Sequence, residues 1–268
     1  MNEDLVKPFG LNVVRVGVAT LMLWILFLFK KERTIIERKD WGRFILCGIT
    51  GIAVNQLLFL KGLQLTYPIH ASLLMLVTPI IIILAAAWLL KERLSKSKII
   101  GLITGVVGAT VLISSRNSGG SAIDPVLGDI LVVINAVSYA AYFILVKPLM
   151  HKYPPVMILR MVFTVGLFFV LPFGWQEFRE TPWLEYHVID WTALLLIVFC
   201  GTFLAYLFNV YGIKHLGASV AGSYIYSQPA FAAIIAVIAL NEKLSVFELV
   251  AGVLILSGVY LCNRPARS

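Results

Sequence analysis

Long apolar runs constrain this chain more than any other feature. Nine can be marked in its 268 residues, at approximately 9–29, 44–64, 69–90, 98–114, 127–147, 156–174, 191–211, 218–240 and 246–262. A helix rises about 1.5 Å per residue, so a run of about twenty residues crosses the roughly 30 Å hydrocarbon core of a bilayer, and tilt or local thinning accommodates shorter ones. Charged residues make up 13% of the chain and hydrophobic ones 60%. A soluble globule usually carries about 25% charge, so this chain has too little to coat its surface with water. Backbone groups in lipid must be bonded internally, and the runs have no alternating polar face. That selects helices over a barrel.

The net charge of +8 does not point to nucleic acid. The basic residues sit in short loops between apolar runs and form no continuous stripe, so they read as a topology signal. Loops 30–43, 91–98, 147–155 and 212–217 and the C-terminal tail are rich in Lys and Arg. The intervening segments 1–8, 62–68, 115–126, 177–190 and 241–248 are poor in them. The rich set belongs in the cytoplasm, which places the N-terminus of this chain outside and its C-terminus inside a bacterial-type inner membrane. The first apolar run is long and no cleavage-type segment precedes it, so it reads as a retained span rather than a signal peptide. Cys47, Cys200 and Cys262 are scattered through apolar runs and the four histidines form no ligand motif. Neither a metal site nor a cofactor is expected.

Shifting the sequence by 150 positions superposes it on itself without a gap from about residue 40 to 113. Asp40 and Trp41 fall on Asp190 and Trp191, Gly51 on Gly201, Gly62 on Gly212, Ala71 on Ala221 and Pro79 on Pro229. Glu92, Leu94 and Ser95 fall on Glu242, Leu244 and Ser245, and Gly108 on Gly258. The matched loops differ in charge: 91–98 is strongly basic, whereas 241–248 is not. Equivalent loops therefore belong on opposite faces of the membrane, as they must when each copy holds an odd number of helices. This predicts an all-α integral membrane fold of two inverted five-helix repeats: 1–115, a linker at 116–126, and 127–263. The run 127–147 has no partner, because its mate would precede Met1. The expectation is a ten-helix fold whose first helix this chain lacks, leaving about nine; a genuine nine-helix protein is the alternative.

In each half, a helix with a mid-membrane proline leads to a Glu-x-Leu-Ser corner and a glycine-rich closing helix. These are Pro79, Glu92 to Ser95 and Gly101 to Gly108, then Pro229, Glu242 to Ser245 and Gly252 to Gly258. This pattern resembles the EamA-like branch of the drug/metabolite transporter superfamily, over nearly the whole chain. The resemblance implies ten helices, two inverted repeats, and export of amino acids or other metabolites. It does not specify a substrate.

Polar side chains inside spans are costly unless they meet a cavity or a partner, so they are the candidate substrate ligands. Asn135, Ser138, Tyr139 and Tyr142 form one stripe on run 127–147, suited to a small zwitterionic or aromatic solute; interhelical hydrogen bonding is the other use of such a stripe. Gly51, Asn55 and Phe59 share a face with Gln56 adjacent, and the mate offers Gly201, Ala205 and Asn209 with Tyr206 adjacent. Tyr224 and Gln228 precede Pro229. Pro79 and Pro229 free the carbonyls of Met75 and Ile225, for a ligand or simply for a kink. Arg15 and Arg160 lie near the starts of equivalent helices, where they either snorkel to headgroups or draw an anionic group inward. Glu92 and Glu242 end equivalent helices, where a carboxylate opposes the helix dipole unless paired, and the basic neighbours Arg93 and Lys243 are the expected partners. Gly101 and Gly105 allow close packing, in a static scaffold or a homodimer face.

The functional expectation is a secondary transporter that exports a small metabolite by alternating access through the lipid bilayer. A passive channel and an integral membrane enzyme are the alternatives. No cluster of acids, histidines or nucleophiles supports an enzyme, and no carboxylate occupies a helix centre as in small proton-exchanging multidrug pumps.

Overall fold

Proline marks where several of the helices begin. The computed structural model describes residues 7–29, 35–92, 94–114, 122–228, 231 and 246–263, and within them every regular element is helical, with no strand. Helix α1 spans Pro8–Leu28 and α2 Arg38–Leu65; α3 comprises the pieces Pro68–Met75 and Val77–Leu89; α4 spans Lys96–Ser114. They are followed by α5 (Pro125–Leu149), α6 (Pro155–Glu180), α7 (Val188–Leu216), α8 (Ala218–Ser223) and α9 (Val246–Asn263). Pro8, Pro68 and Pro155 each open a helix after an extended residue, Lys7, Tyr67 or Pro154, with ψ of 133°, 138° and 145°. Proline loses nothing at a helix start, where its missing N–H would have no intrahelical acceptor, and it forces the preceding residue into extended backbone. Helix α7 ends at Gly217, whose φ of +91° only glycine adopts without strain.

Six of these helices, α1, α2, α3, α5, α6 and α7, are long and apolar enough to cross a membrane. The protein is thus a multi-pass α-helical membrane protein. Helices α4, α8 and α9 are shorter over the described residues.

The 150-residue register recurs in the helix boundaries. Helix α2 starts at Arg38 and α7 at Val188; α3 starts at Pro68 and α8 at Ala218; α4 starts at Lys96 and α9 at Val246. Even a local irregularity repeats. Helix α2 widens to π geometry at Ile49–Ala53 and α7 at Phe199–Leu204.

The chain divides into two compact units, one of residues 1–60 and 141–215 and the other of residues 61–140 and 216–268. Each takes segments from both sequence repeats. In the first unit α1 packs along α6, with Gly17 close to Leu167 and Gly174 close to Phe9 and Val13. The Glu177 carboxylate accepts hydrogen bonds from the Phe9 and Gly10 amides at 2.8 and 3.0 Å, capping α1, and Lys7 pairs with Glu180. Elsewhere in this unit Asp40 accepts hydrogen bonds from the Lys152 ammonium and the Tyr153 hydroxyl, both at 2.8 Å. The hydrogen bond to Asp40 holds Lys152 above the ordinary lysine range.

In the second unit α4 lies against α9 along a glycine seam. A Cβ on Gly101 would meet the Gly258 carbonyl oxygen at 2.6 Å, and one on Gly258 would meet the Gly105 nitrogen at 2.6 Å. The glycine pair expected to serve either as a scaffold or as a homodimer face is thus spent inside the chain, as scaffold. Leu76, Ala109, Tyr226, Ala251 and Ile255 form the adjoining core. Thr66 donates to Asp129, which also meets His70 Nδ1 at 3.2 Å.

Two contacts at helix ends and breaks go beyond what the sequence led one to expect. Glu92 accepts from the backbone amides of Ala218 and Ser219 at 3.0 and 3.2 Å and from the Ser219 hydroxyl at 2.5 Å; Arg93, its expected basic partner, lies outside the described residues. It caps α8, where a negative charge is favourable. At the Pro79 break the Leu76 carbonyl accepts a 3.1 Å bond from the Tyr226 hydroxyl. Tyr226 is the residue 150 positions on from Leu76. Pro229 and Glu242 lie outside the described residues.

Candidate functional site

A π segment carries one residue more per turn than the flanking α-helix, so hydrogen bonds slip to i−5 and side chains beyond it are re-aimed. In α7 the Thr202 hydroxyl donates to the Ile197 carbonyl, five residues back, at 3.1 Å. In α2 the π segment lets Gly51 accept the face of Tyr142, whose ring would stand 2.5 Å from a Cβ at that position. Each irregularity is followed, within a turn, by a polar residue. These are Gln56 and Tyr206, and they meet: Gln56 Nε2 donates to the Tyr206 hydroxyl at 3.2 Å, and that hydroxyl donates to the Gly51 carbonyl at 3.2 Å. Their numbers differ by 150, so equivalent positions of the two repeats touch, as Leu76 and Tyr226 do in the other unit. Residues related by an approximate two-fold meet their own equivalents only near its axis.

Around this pair the first unit gathers more polar groups. Arg15 Nε donates to the Thr202 hydroxyl at 3.1 Å. Phe163 packs edge-on to the Tyr206 ring at 4.9 Å. Gln56 is 8% exposed, and its carbonyl oxygen has no hydrogen-bond partner among the described residues. Asn12, one turn before Arg15 on α1, is 1% exposed with neither amide atom bonded among the described residues. Asn55 and Asn209 are half-buried on α2 and α7. Arg160 is used differently. Its guanidinium lies 3.6 Å from the ring centre of Phe27 and 4.3 Å from that of Trp24, a cation–π arrangement. Both arginines are engaged within their own unit.

Of the nine candidate ligands read from the sequence, Asn55, Gln56, Tyr142, Tyr206 and Asn209 fall in the first unit. Asn135, Tyr139, Tyr224 and Gln228 fall in the second. Asn135 is buried, Tyr139 half-buried, and Tyr224 and Gln228 exposed. Tyr142 is fully buried against Gly51, which makes it a packing residue as much as a polar one. Sequence reasoning passed over Asn12, Thr202 and Thr78, the last buried with no partner for its hydroxyl among the described residues. A signal existed for the first, since Asn12 is the lone amide in an apolar helix that also holds Arg15.

A duplicated helical unit, with matched π segments and a polar pair between equivalent positions, defines a polytopic membrane protein whose buried polarity suits solute passage. The chain belongs to the EamA-like transporter family, whose model matches residues 3–114 and 126–264. It is thus a membrane transporter of the drug/metabolite transporter type. It is 25% identical over 256 residues to an uncharacterized transporter of Archaeoglobus fulgidus, covering 95% of this chain and 87% of that one. A probable terminal-alkyne amino-acid exporter of Streptantibioticus cattleyicolor is 26% identical over 261 residues, 95% of this chain and 84% of the relative. A protein of known crystal structure shares the fold with a TM-score of 0.80 at 21% identity, over 96% of this chain and 87% of the other.

Proposed function

We propose that this chain is a secondary carrier that exports a small polar metabolite, an amino acid or a related solute, across a bacterial-type inner membrane by alternating access. The observation that carries the reading is the contact of Gln56 with Tyr206 beside matched π segments. A symmetric pair at the junction of two repeats can be approached equally from either face when the repeats are inverted, and that is the geometry alternating access needs. The amino-acid exporter among the relatives supports the substrate class and the direction. The charge asymmetry of the loops supports opposite orientations of the two repeats, with the C-terminus in the cytoplasm. The proposed solute ligands are Asn55, Gln56, Tyr142, Tyr206 and Asn209 within the first unit, and Asn135, Tyr139, Tyr224 and Gln228 within the second.

The test is solute counterflow in proteoliposomes holding the full chain. The carrier reading requires flux that saturates and is accelerated by the same solute on the opposite side. Flux that rises without saturation marks a channel, and turnover without flux marks an enzyme. Tyr206→Phe removes the hydroxyl that Gln56 and the Gly51 carbonyl both engage. A hydrogen bond contributes on the order of 1 kcal/mol, so counterflow is expected to fall by about three- to tenfold with unchanged yield and insertion. Counterflow at the original rate would remove this pair from the transport path.

A further inference from the structure

Arg15 is a charge within a membrane-length helix, with no acid among the described residues to balance it. Its one hydrogen bond within the described residues runs from Nε to the neutral Thr202 hydroxyl. No carboxylate among the described residues pairs with it, and its two terminal amino groups have no acceptor there. Thr202 fixes the depth. It stands fourteen residues from Val188 and fourteen from Leu216, the midpoint of a bilayer-length helix. Either end of α7 is therefore about 20 Å away along the helix axis, and the nearer end of α1, at Pro8, about 10 Å from Arg15. The Nε is turned onto α7 at its midpoint, and a guanidinium held within the membrane is expensive unless it faces a polar cavity, a headgroup or a ligand.

A second observation points the same way. Asn12, three residues before Arg15, lies on the same side of α1. It is 1% exposed and its amide has no partner among the described residues. A buried amide left unbonded is costly, so a helix that keeps one a turn from an uncompensated guanidinium is arranged for a group that is not part of the chain.

We propose that Arg15 is the receptor for a carboxylate of the transported solute, with the Asn12 amide as its second donor. The inference rests on the carrier reading and narrows it. The two terminal amino groups of a guanidinium match the two oxygens of a carboxylate in one plane. A single positive charge bonded to the neutral Thr202 hydroxyl and near the neutral Tyr206 balances a monoanion, and it would leave a phosphate dianion half-neutralised. The solute therefore carries one carboxylate at this end, held at the level of the π segment of α7.

The experiment is competition in counterflow with the full chain in phosphatidylcholine vesicles, repeated with phosphatidylglycerol added. Labelled leucine, phenylalanine, threonine and benzoate serve as probes, each competed by its unlabelled acid and by its carboxamide. The acid is expected to compete at least tenfold better than the amide for any probe carried. Arg15→Gln is expected to raise KM for that probe about tenfold or more, and Arg15→Lys, which keeps the charge without the fork, to recover part of the loss. Neither result should depend on phosphatidylglycerol. Amides that compete as well as acids, or an unchanged KM in Arg15→Gln, overturn the inference while saturable counterflow leaves the carrier standing. An Arg15→Gln effect confined to vesicles with phosphatidylglycerol assigns the guanidinium to lipid and also overturns it. Absence of saturable counterflow with every probe counts against both readings.

Discussion

Gly258→Leu is expected to lower the stability of the purified chain by about 3 kcal/mol or more, a large fraction of what a helical membrane unit has to spare. The reason is the seam between α4 and α9. A Cβ at position 258 would stand 2.6 Å from the Gly105 nitrogen and 2.7 Å from the Gly101 carbonyl oxygen. Those atoms are backbone, so no rotamer change relieves the clash and the two helices have to part. In lipid there is little hydrophobic gain to hold them once the close packing is lost. The effect spreads to the adjoining core, where Ala251 and Ile255 of α9 pack with Ala109 of α4 and with Tyr226. Thermal unfolding in detergent reads the loss. Gly252→Leu is the matched control, because a Cβ there meets nothing within 4 Å, and it should unfold within about 0.5 kcal/mol of the parent. Equal melting of the two variants would mean that the seam is not as tight as described.

Glu92→Ala is expected to cost about 2–4 kcal/mol, for a different reason. The carboxylate serves three donors at once: the amides of Ala218 and Ser219 and the Ser219 hydroxyl. Its loss leaves the first amides of α8 without acceptors at a turn already committed to the left-handed Gly217. Helix α8 has no length of its own to stabilise it, and Ser219 and Ser223 within it are buried at 1% and 0% exposure. Water cannot easily replace the lost acceptor. Glu92→Gln keeps one acceptor oxygen and should lose about half as much, since an uncharged acceptor bonds more weakly. Limited proteolysis between α7 and α8 together with the melting temperature measures this. A Glu92→Ala chain as stable and as resistant as the parent would exclude the cap as a stabilising element.

Much of the architecture was legible because lipid leaves few options. Apolar runs of bilayer length had to be helices, and the register joining Asp40 to Asp190 and Pro79 to Pro229 reappears in helix starts that differ by 150. Family membership was legible from the proline, the Glu-x-Leu-Ser corner and the closing glycines taken together. The site was legible only in part. Gln56 and Tyr206 were singled out as neighbours of a face, but nothing in composition says that they touch. A π segment adds a residue to a turn without changing hydropathy, so the re-aiming that brings the pair together leaves no trace in the pattern. The cap that Glu92 places on α8 was not foreseen, because a backbone amide 126 positions away is invisible to a local reading. Arg15 was noticed, yet its depth became apparent only through Thr202, which had attracted no attention in an apolar run.

The orientation of the two repeats can be measured directly. Lys96 and Val246, equivalent in the 150-residue register, would each be replaced by cysteine in a chain whose Cys47, Cys200 and Cys262 are serine. Each variant would then be exposed to a membrane-impermeant maleimide from one face at a time. Opposed repeats require Lys96→Cys to react only from the cytoplasm and Val246→Cys only from outside. Reaction of both from the same face would contradict the inverted duplication and the carrier mechanism built on it.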